Sequence, residues 1–497
     1  MTLPLTNRPA IKLLATFALG AIAVLGYAPF YFYPITIISL AGLFYYLQNS
    51  NTARQAAWLG YAFGLGFFSA GVSWIYVSLH DFGGMPFIMA TLATFSFCAF
   101  LALFHAAATY LAKKSGYLLL TVPLFWVLSE WLRSWIFTGF PWLNVGYSQV
   151  PYSPLAGFAP LFGVYGVSLL AAFIASLLVV WFRSSAVANK TMRTKIVVVV
   201  VVIWVAGSLL KFVQWTTPVG APISVALLQG NIPQDMKWQP EVAQQTLSQY
   251  LKMVNGSSAQ LTVLPETALP VLINQLSPEY LGQLKAHGQK NAGDVLVGAV
   301  EFENDQYYNS MLSFGSAPTQ TYRKSHLVPF GEFIPLKGFI GWIYRDWLQM
   351  PLSDLSRGSA TQKPLAIAGQ HIAVNICYED AFGEEIIRQL PEATLLINAS
   401  NMAWYGSSWS ADQHMQMSQM RALETGRMIL RATNTGATAI IDQQGNVLAH
   451  APHFSETLLE GKAQGYTGST PYVRFGNWPV IILCFGLLGL LWVRKKK

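Results

Sequence analysis

A series of apolar runs constrains this chain most. Each is close to the ~20 residues that carry an α-helix across a bilayer. They fall roughly at 11–29, 31–48, 56–79, 85–112, 117–137, 155–182, 195–212 and 477–493. Hydrocarbon offers the backbone no water to bond, so a spanning segment must be a helix or part of a closed barrel. Runs of this length without alternation predict helices, about eight of them. Composition agrees: 53% of the 497 residues are hydrophobic and 11% are charged, against about 25% charged in an ordinary soluble domain.

Charge divides the chain. Between residues 213 and 475 there are 21 acids and 16 bases, a net of −5, while the remainder holds 2 acids and 15 bases, a net of +13. A basic membrane part with a mildly acidic polar part argues against nucleic acid as a partner. Thirteen of those bases flank one set of run ends: Arg8 and Lys12; Arg54; Lys113 and Lys114; Arg183, Lys190, Arg193 and Lys195; and Arg494 to Lys497. The opposite connections, such as 138–154, are nearly free of charge. The excess of bases on cytoplasmic loops then puts both termini in the cytoplasm and the long polar insert outside. In a Gram-negative bacterium that side is the periplasm and the membrane is the inner one. The first run leads almost directly into the second and has a modest basic flank, so it reads as a retained helix and not a cleaved signal peptide.

The expected organisation is a membrane domain over 1–215 with seven spans, an extracytoplasmic domain over 216–474, and an eighth span with a basic tail over 475–497. Within the insert, strands are predicted at 223–229, 260–266, 294–300, 309–314, 372–377, 394–400, 437–442 and 446–451, and helices near 239–254, 277–291 and 410–427. Strands interleaved with helices fit a layered α/β fold. Asp442 to Asn446 reads as a hairpin turn.

The insert contains one cysteine, Cys377, because Cys98 and Cys484 lie in apolar runs. It can form no internal disulfide, and a lone thiol in an oxidising compartment suggests use. HIAVNICYED places this thiol where a strand of alternating β-branched residues stops, beside acids. A thiol needs a base to become the nucleophile. Glu266 follows a predicted strand behind a proline in TVLPETALP, where partial desolvation would raise its pKa toward that of a general base. Lys324 precedes Glu332 by eight residues in YRKSHLVPFGEFIP, and a lysine near the nucleophile stabilises thiolate and oxyanion alike. Each also has a structural reading: Glu266 as a cap or turn acid, Lys324 as a solvated base, Glu332 as a binder of backbone amides. Their order and spacing suit a fold that gathers strand ends.

Other features remain open on residues alone. Glu130 and Arg133 are spaced to share a helix face, as an interfacial pair or as a substrate contact. The aromatic, uncharged stretch 137–154 suits the outer headgroup region. Residues 333–352 are very apolar, and Phe339, Trp342, Trp347 and Leu348 either dip into the outer leaflet or pack on the domain. Arg421, Glu424 and Arg427 form an ion-paired face or a phosphate site. His326 and His414 read as structural or polar-network residues.

PE at 265–266, RK with HLVPFGEF at 323–333 and CYE at 377–379 resemble the carbon–nitrogen hydrolase (nitrilase) superfamily with its Glu-Lys-Cys triad. The outward domain between spans, together with FTGFPWLNVGYSQ (137–149), QGNIPQDMKW (229–238), QMRALETGR (419–427) and RATNTGATAI (431–440), resembles one branch of it, the apolipoprotein N-acyltransferases. The resemblance covers nearly the whole chain. It implies a multi-pass α-helical membrane domain plus an α/β nitrilase-like αββα sandwich with no metal and no dissociable cofactor. It implies acyl transfer from a phospholipid, through a thioester, to the α-amino group of the S-diacylglyceryl cysteine that begins an apolipoprotein. Cys377 is then the nucleophile, Glu266 the general base and Lys324 the oxyanion stabiliser, with Trp238, Glu332, Tyr378 and Glu379 at supporting positions.

The alternatives are a membrane-tethered amidase that hydrolyses small amides, and a transporter or sensor whose outer domain binds a ligand. Eight spans are superfluous for a soluble amide. Few intramembrane charges mark a transport path.

Overall fold

The structure, a computed structural model, describes residues 9–184, 190–237, 239–335 and 354–496. Trp238, and the stretch carrying Phe339, Trp342, Trp347 and Leu348, lie outside the described residues. The chain forms two compact units, one built from the segments up to Tyr76, Pro86–Val213 and from Arg474 on, the other from Val77–Met85 and Gln214–Val473.

The first unit is helical. Helices α1 (Pro9–Ala23), α2 (Pro34–Gln48), α3 (Ala53–Gly71), α4 (Phe87–Ser115), α5 (Leu118–Arg133), α6 (Ala159–Arg183), α7 (Lys190–Leu210) and a C-terminal helix Trp478–Lys496 fall on the eight apolar runs. Among the described residues, five helices are long and apolar enough to cross a membrane, or six if Ala53–Gly71 and Ile75–Phe82, bent by 57°, count as one span. The run at 56–79 is therefore not one straight helix. At the bend, the Gly71 carbonyl accepts the Trp74 indole N–H at 3.1 Å, and the Ile75 amide turns to the Val72 carbonyl at 3.1 Å. Helices α1 and α3 cross at small residues, where a Cβ on Gly20 or Gly66 would overlap the Phe63 or Phe17 carbonyl. Without a hydrophobic force between helices in lipid, such close backbone approach supplies the packing.

The stretch after α5 does not lie open as an aromatic belt. Residues 141–150 are all buried. Arg133 donates to the carbonyls of Phe140 at 2.5 Å and Trp142 at 2.7 Å and to Asn144 Oδ1 at 2.6 Å. Glu130 Oε1 accepts the Val145 amide at 2.8 Å and the Trp126 indole N–H at 3.1 Å. Irregular backbone in apolar surroundings needs such partners, and the two charged side chains are spent on supplying them.

The second unit is a two-sheet sandwich. One sheet contains β1 (Thr216–Gln229), β2 (Leu261–Val263), β3 (Leu269–Leu272), β4 (Asp294–Glu303), β5 (Gln306–Gly315), β6 (Thr321–Arg323) and β13 (Thr457–Gly468), in the order β13-β1-β2-β4-β5-β6 with β3 beside β4. The other contains β7 (Leu365–Ile367), β8 (Gln370–Ile376), β9 (Leu395–Ser400), β10 (Ile429–Thr433), β11 (Ala439–Ile441) and β12 (Val447–His450), in the order β12-β11-β10-β9-β8-β7. Strands β1, β2 and β4 run parallel, as do β8, β9 and β10. Alternation assigns the faces. Val225, Leu227 and Leu296 meet Ile372, Val374, Ile376, Ile397 and Leu430 in the core between the sheets. Ala226, Leu228, Val295 and Val297 instead meet Tyr250, Val254 and Leu284, which belong to α8 (Pro240–Asn255) and α9 (Pro278–Lys290). Ala373, Leu396 and Ile429 meet Ala411, Met415 and Ala422 of α10 (Ser410–Thr425). With both faces of each sheet covered, the result is the expected αββα layering. The Asp442–Asn446 turn joins β11 to β12, with the Asp442 amide on the Asn446 carbonyl at 2.9 Å.

Candidate active site

Three chain reversals bring the chemistry together. β2 stops at Val263, before Pro265 and Glu266, and Thr267 beyond them has φ +44°. β6 stops at Arg323, and the Lys324 amide stays tied to the Asn309 carbonyl at 2.8 Å. β8 stops at Ile376, and Cys377 turns sharply with φ +51°. That left-handed conformation is rare for a side chain with a Cβ, and such strain concentrates at functional sites. Asn398 Nδ2 donates to the Cys377 carbonyl at 3.3 Å and helps to hold the turn.

Lys324, 1% exposed in its side chain, is the centre of the cluster. Its Nζ reaches Glu266 Oε1 at 3.2 Å and Glu332 Oε1 at 2.9 Å. Burial opposes its charge, but the carboxylates of Glu266 and Glu332 outweigh burial and hold the ammonium well above the ordinary lysine value. Burial pushes the partly exposed Cys377 thiol in the opposite sense, upward, and the charge of Glu266 adds to it against the pull of Lys324. At rest the sulfur is therefore a thiol, with Glu266 and Lys324 the charged groups that act on it most.

Glu379 does not face the reaction. Its carboxylate accepts the Tyr322 hydroxyl at 2.9 Å, the Ile376 amide at 2.7 Å, the Ser325 amide at 2.7 Å, the Ser325 hydroxyl at 2.8 Å and the His326 amide at 3.0 Å. It thereby ties the lysine turn to the cysteine turn. Burial raises its pKa, and the amide donors oppose that rise. Tyr378 packs its ring on His326 and Phe382 at 5.7 and 5.1 Å between centroids. Beneath the cysteine turn, Asp380 accepts Ser418 and, at 3.3 Å, Arg431, with His414 Nε2 3.7 Å away. His326 and His414 are thus network residues. Arg421 pairs with Glu424 at 3.0 Å inside the domain, and Arg427 donates to the Ala393 and Gly468 carbonyls at 2.7 and 2.9 Å. That set is structural.

Sequence reasoning missed several neighbours. Asn309 Nδ2 bridges Glu266 and Glu332 at 2.8 and 3.0 Å, and the Asn401 amide donates to Glu266 Oε2 at 2.8 Å. Tyr405 lies among the charges of Cys377, Lys324, Glu266 and Glu332, with its hydroxyl kept protonated mainly by burial. Asn309 lies within β5, where a polar amide among sheet residues was the only available signal, and Asn401 follows the end of β9 and contributes its backbone N–H, which no side chain announces. Gly298 on β4 was also passed over. A Cβ there would overlap the Pro265 carbonyl and lie 2.9 Å from the Glu266 Cα. Gly298→Ala is therefore expected to displace the carboxylate and lower kcat by roughly a hundredfold, since ångström misplacement costs about that much, and to lower the melting temperature as well, since overpacking against backbone costs about 1–3 kcal/mol. Steady-state kinetics of the folded variant check this.

A buried Glu, Lys and Cys at strand ends of an αββα sandwich, with a second Glu on the lysine, define a carbon–nitrogen hydrolase domain. The family model described as "Carbon-nitrogen hydrolase" matches residues 224–472, and the one described as "Apolipoprotein N-acyltransferase N-terminal domain" matches residues 19–177. The chain belongs to the apolipoprotein N-acyltransferase family. It is 51% identical over 487 residues to the apolipoprotein N-acyltransferase of Nitrosomonas europaea, covering 97% of this chain and 96% of that one. It is 44% identical to that of Chromobacterium violaceum, covering 97% and 93%, and 42% identical to that of Methylococcus capsulatus, covering 96% and 95%.

Proposed function

We propose that the chain N-acylates apolipoproteins with an acyl chain taken from a phospholipid. The observation that carries this is the buried Glu266–Lys324–Glu332 cluster around Cys377, in a chain of this family whose described residues include five to six helices long and apolar enough to cross a membrane. In the first half-reaction Glu266 takes the thiol proton and the Cys377 sulfur attacks the ester carbonyl of the phospholipid. Lys324 and the Tyr378 amide stabilise the oxyanion. Collapse breaks the ester C–O bond, and the leaving alkoxide takes the proton from Glu266 and departs as lysophospholipid. In the second half-reaction the α-amine of the S-diacylglyceryl cysteine attacks the thioester, Glu266 receives the amine proton, and collapse returns the sulfur to the thiol. Glu332 and Glu379 hold Lys324 and the cysteine turn in place. Trp238 is assigned a supporting place on sequence resemblance alone.

The catalytic domain, 216–474, is assigned to the periplasmic side of the bacterial inner membrane, with spans before and after it and both termini cytoplasmic. The distribution of bases supports that orientation.

The test supplies the purified protein with a phospholipid labelled in one acyl chain and a peptide beginning with S-diacylglyceryl cysteine. Label in an amide on the peptide, with parallel lines in two-substrate kinetics, is the expected result. Label released only as free fatty acid would move the protein to the hydrolase reading, with water as the acceptor.

A further inference from the structure

A second lysine stands at the triad. Lys237 closes the turn at 234–237 after β1 and is 2% exposed. Lysine is almost never buried this completely without a charge partner. Its Nζ donates to Thr267 Oγ1 at 2.8 Å, which is a neutral acceptor. The charged group acting on it is Glu266, the residue next to Thr267.

The charges of the site explain why an amine belongs there. Among the described residues, Glu266 and Glu332 share a single ammonium, that of Lys324. Two carboxylates and one cation leave a buried negative charge, and buried charges persist only when paired. The other titratable groups described around the cluster, Cys377 and Tyr405, are acids that burial keeps neutral.

We propose that Lys237 is a positioning residue for Glu266: its ammonium, held by Thr267, balances the second carboxylate and keeps Glu266 ionised to receive the Cys377 proton. This rests on the reading of Glu266 as the base. Removing the positive charge leaves the second carboxylate unbalanced beside the thiol whose proton it is to receive. Burial draws the Lys237 ammonium down to about 8, against the opposing pull of Glu266. The assistance is therefore present below that pH and fades above it.

The experiment measures the rate at which iodoacetamide alkylates Cys377 in the full-length solubilised protein from pH 5 to 9.5 (a range set by the usual carboxylate and thiol values), read on the Cys377 peptide. It needs no acyl donor or acceptor. Lys237→Gln is expected to move the acid limb of the profile up by roughly 1–2 pH units, the size of one neighbouring charge. Lys237→Arg, which keeps the charge, is expected to leave the limb within about half a unit. The gap between wild type and Lys237→Gln is expected to close above about pH 8. Equal shifts for Gln and Arg, or no shift with Gln, overturn the proposal. Glu266→Gln separates the two readings: an acid limb that survives in that variant overturns Glu266 as the base, whereas its disappearance leaves Lys237 to be judged on its own variants. If Lys237→Gln does not fold, Thr267→Val releases the amine instead and is expected to shift the limb in the same direction by less. An unmoved limb there overturns the proposal equally.

Discussion

Cys377→Ser is expected to abolish acyl transfer, by at least about a thousandfold, because covalent catalysis is lost with its nucleophile. The wild-type protein incubated with phospholipid is expected to gain the mass of one acyl chain and to lose it in neutral hydroxylamine. The serine variant should gain nothing. Burial and Glu266 already push the thiol upward, so proton transfer to the carboxylate is uphill even for sulfur. A hydroxyl in the same place is a far weaker acid, beyond the reach of a carboxylate. An adduct of equal size and lability in Cys377→Ser would sink the thioester intermediate and place the covalent step elsewhere.

Lys324→Met is expected to be the most damaging change for fold and chemistry together. It leaves Glu266 and Glu332 facing each other across the Asn309 amide, at 2.8 and 3.0 Å, with no ammonium between them. Removing one partner of a buried ion pair costs roughly 3–5 kcal/mol, because the other charge stays behind uncompensated. Removing an oxyanion donor costs a further factor on the order of 10²–10³ in kcat. Lys324→Arg is not expected to rescue, since a planar fork does not fill the place of a compact charge held by two converging oxygens. Thermal unfolding and single-turnover acylation measure the two effects separately. A methionine variant that retains turnover within tenfold of wild type would show that another group carries the oxyanion.

Much of the architecture was legible in the chain. Apolar runs of bilayer length located the helices because lipid leaves the backbone no alternative. Val225 to Leu228, Val295 to Val297 and Ile372 to Ile376 read as strands because each alternates β-branched or aliphatic residues between two covered faces. Strands β6, β7 and β3 were not seen because three or four residues carry no period. β13 was missed because Thr457–Gly468 is half polar and glycine-rich, and β10 because Arg431 interrupts it. That arginine can be buried because Asp380, 51 residues earlier, balances its charge and the Ser418 hydroxyl and Ala437 carbonyl accept its other N–H groups. The lack of charge in 137–154 suggested the membrane surface. Phe137 and Tyr152 are exposed, while residues 141–150 are buried and take backbone bonds from the side chains of Glu130 and Arg133.

The local pattern thus settled the apolar helices and the layered domain and singled out Cys377, because each depends on neighbours a few residues away. The environment of the nucleophile was set only on folding. Glu266 meets Lys324 across 58 residues and Asn309 across 43, and Lys237 reaches Thr267 across 30. Whether a carboxylate is a base, a pillar such as Glu379 or a surface acid depends on which donors the closed sandwich brings to it. Desolvation and charge balance act through space, and no spacing along the chain encodes them.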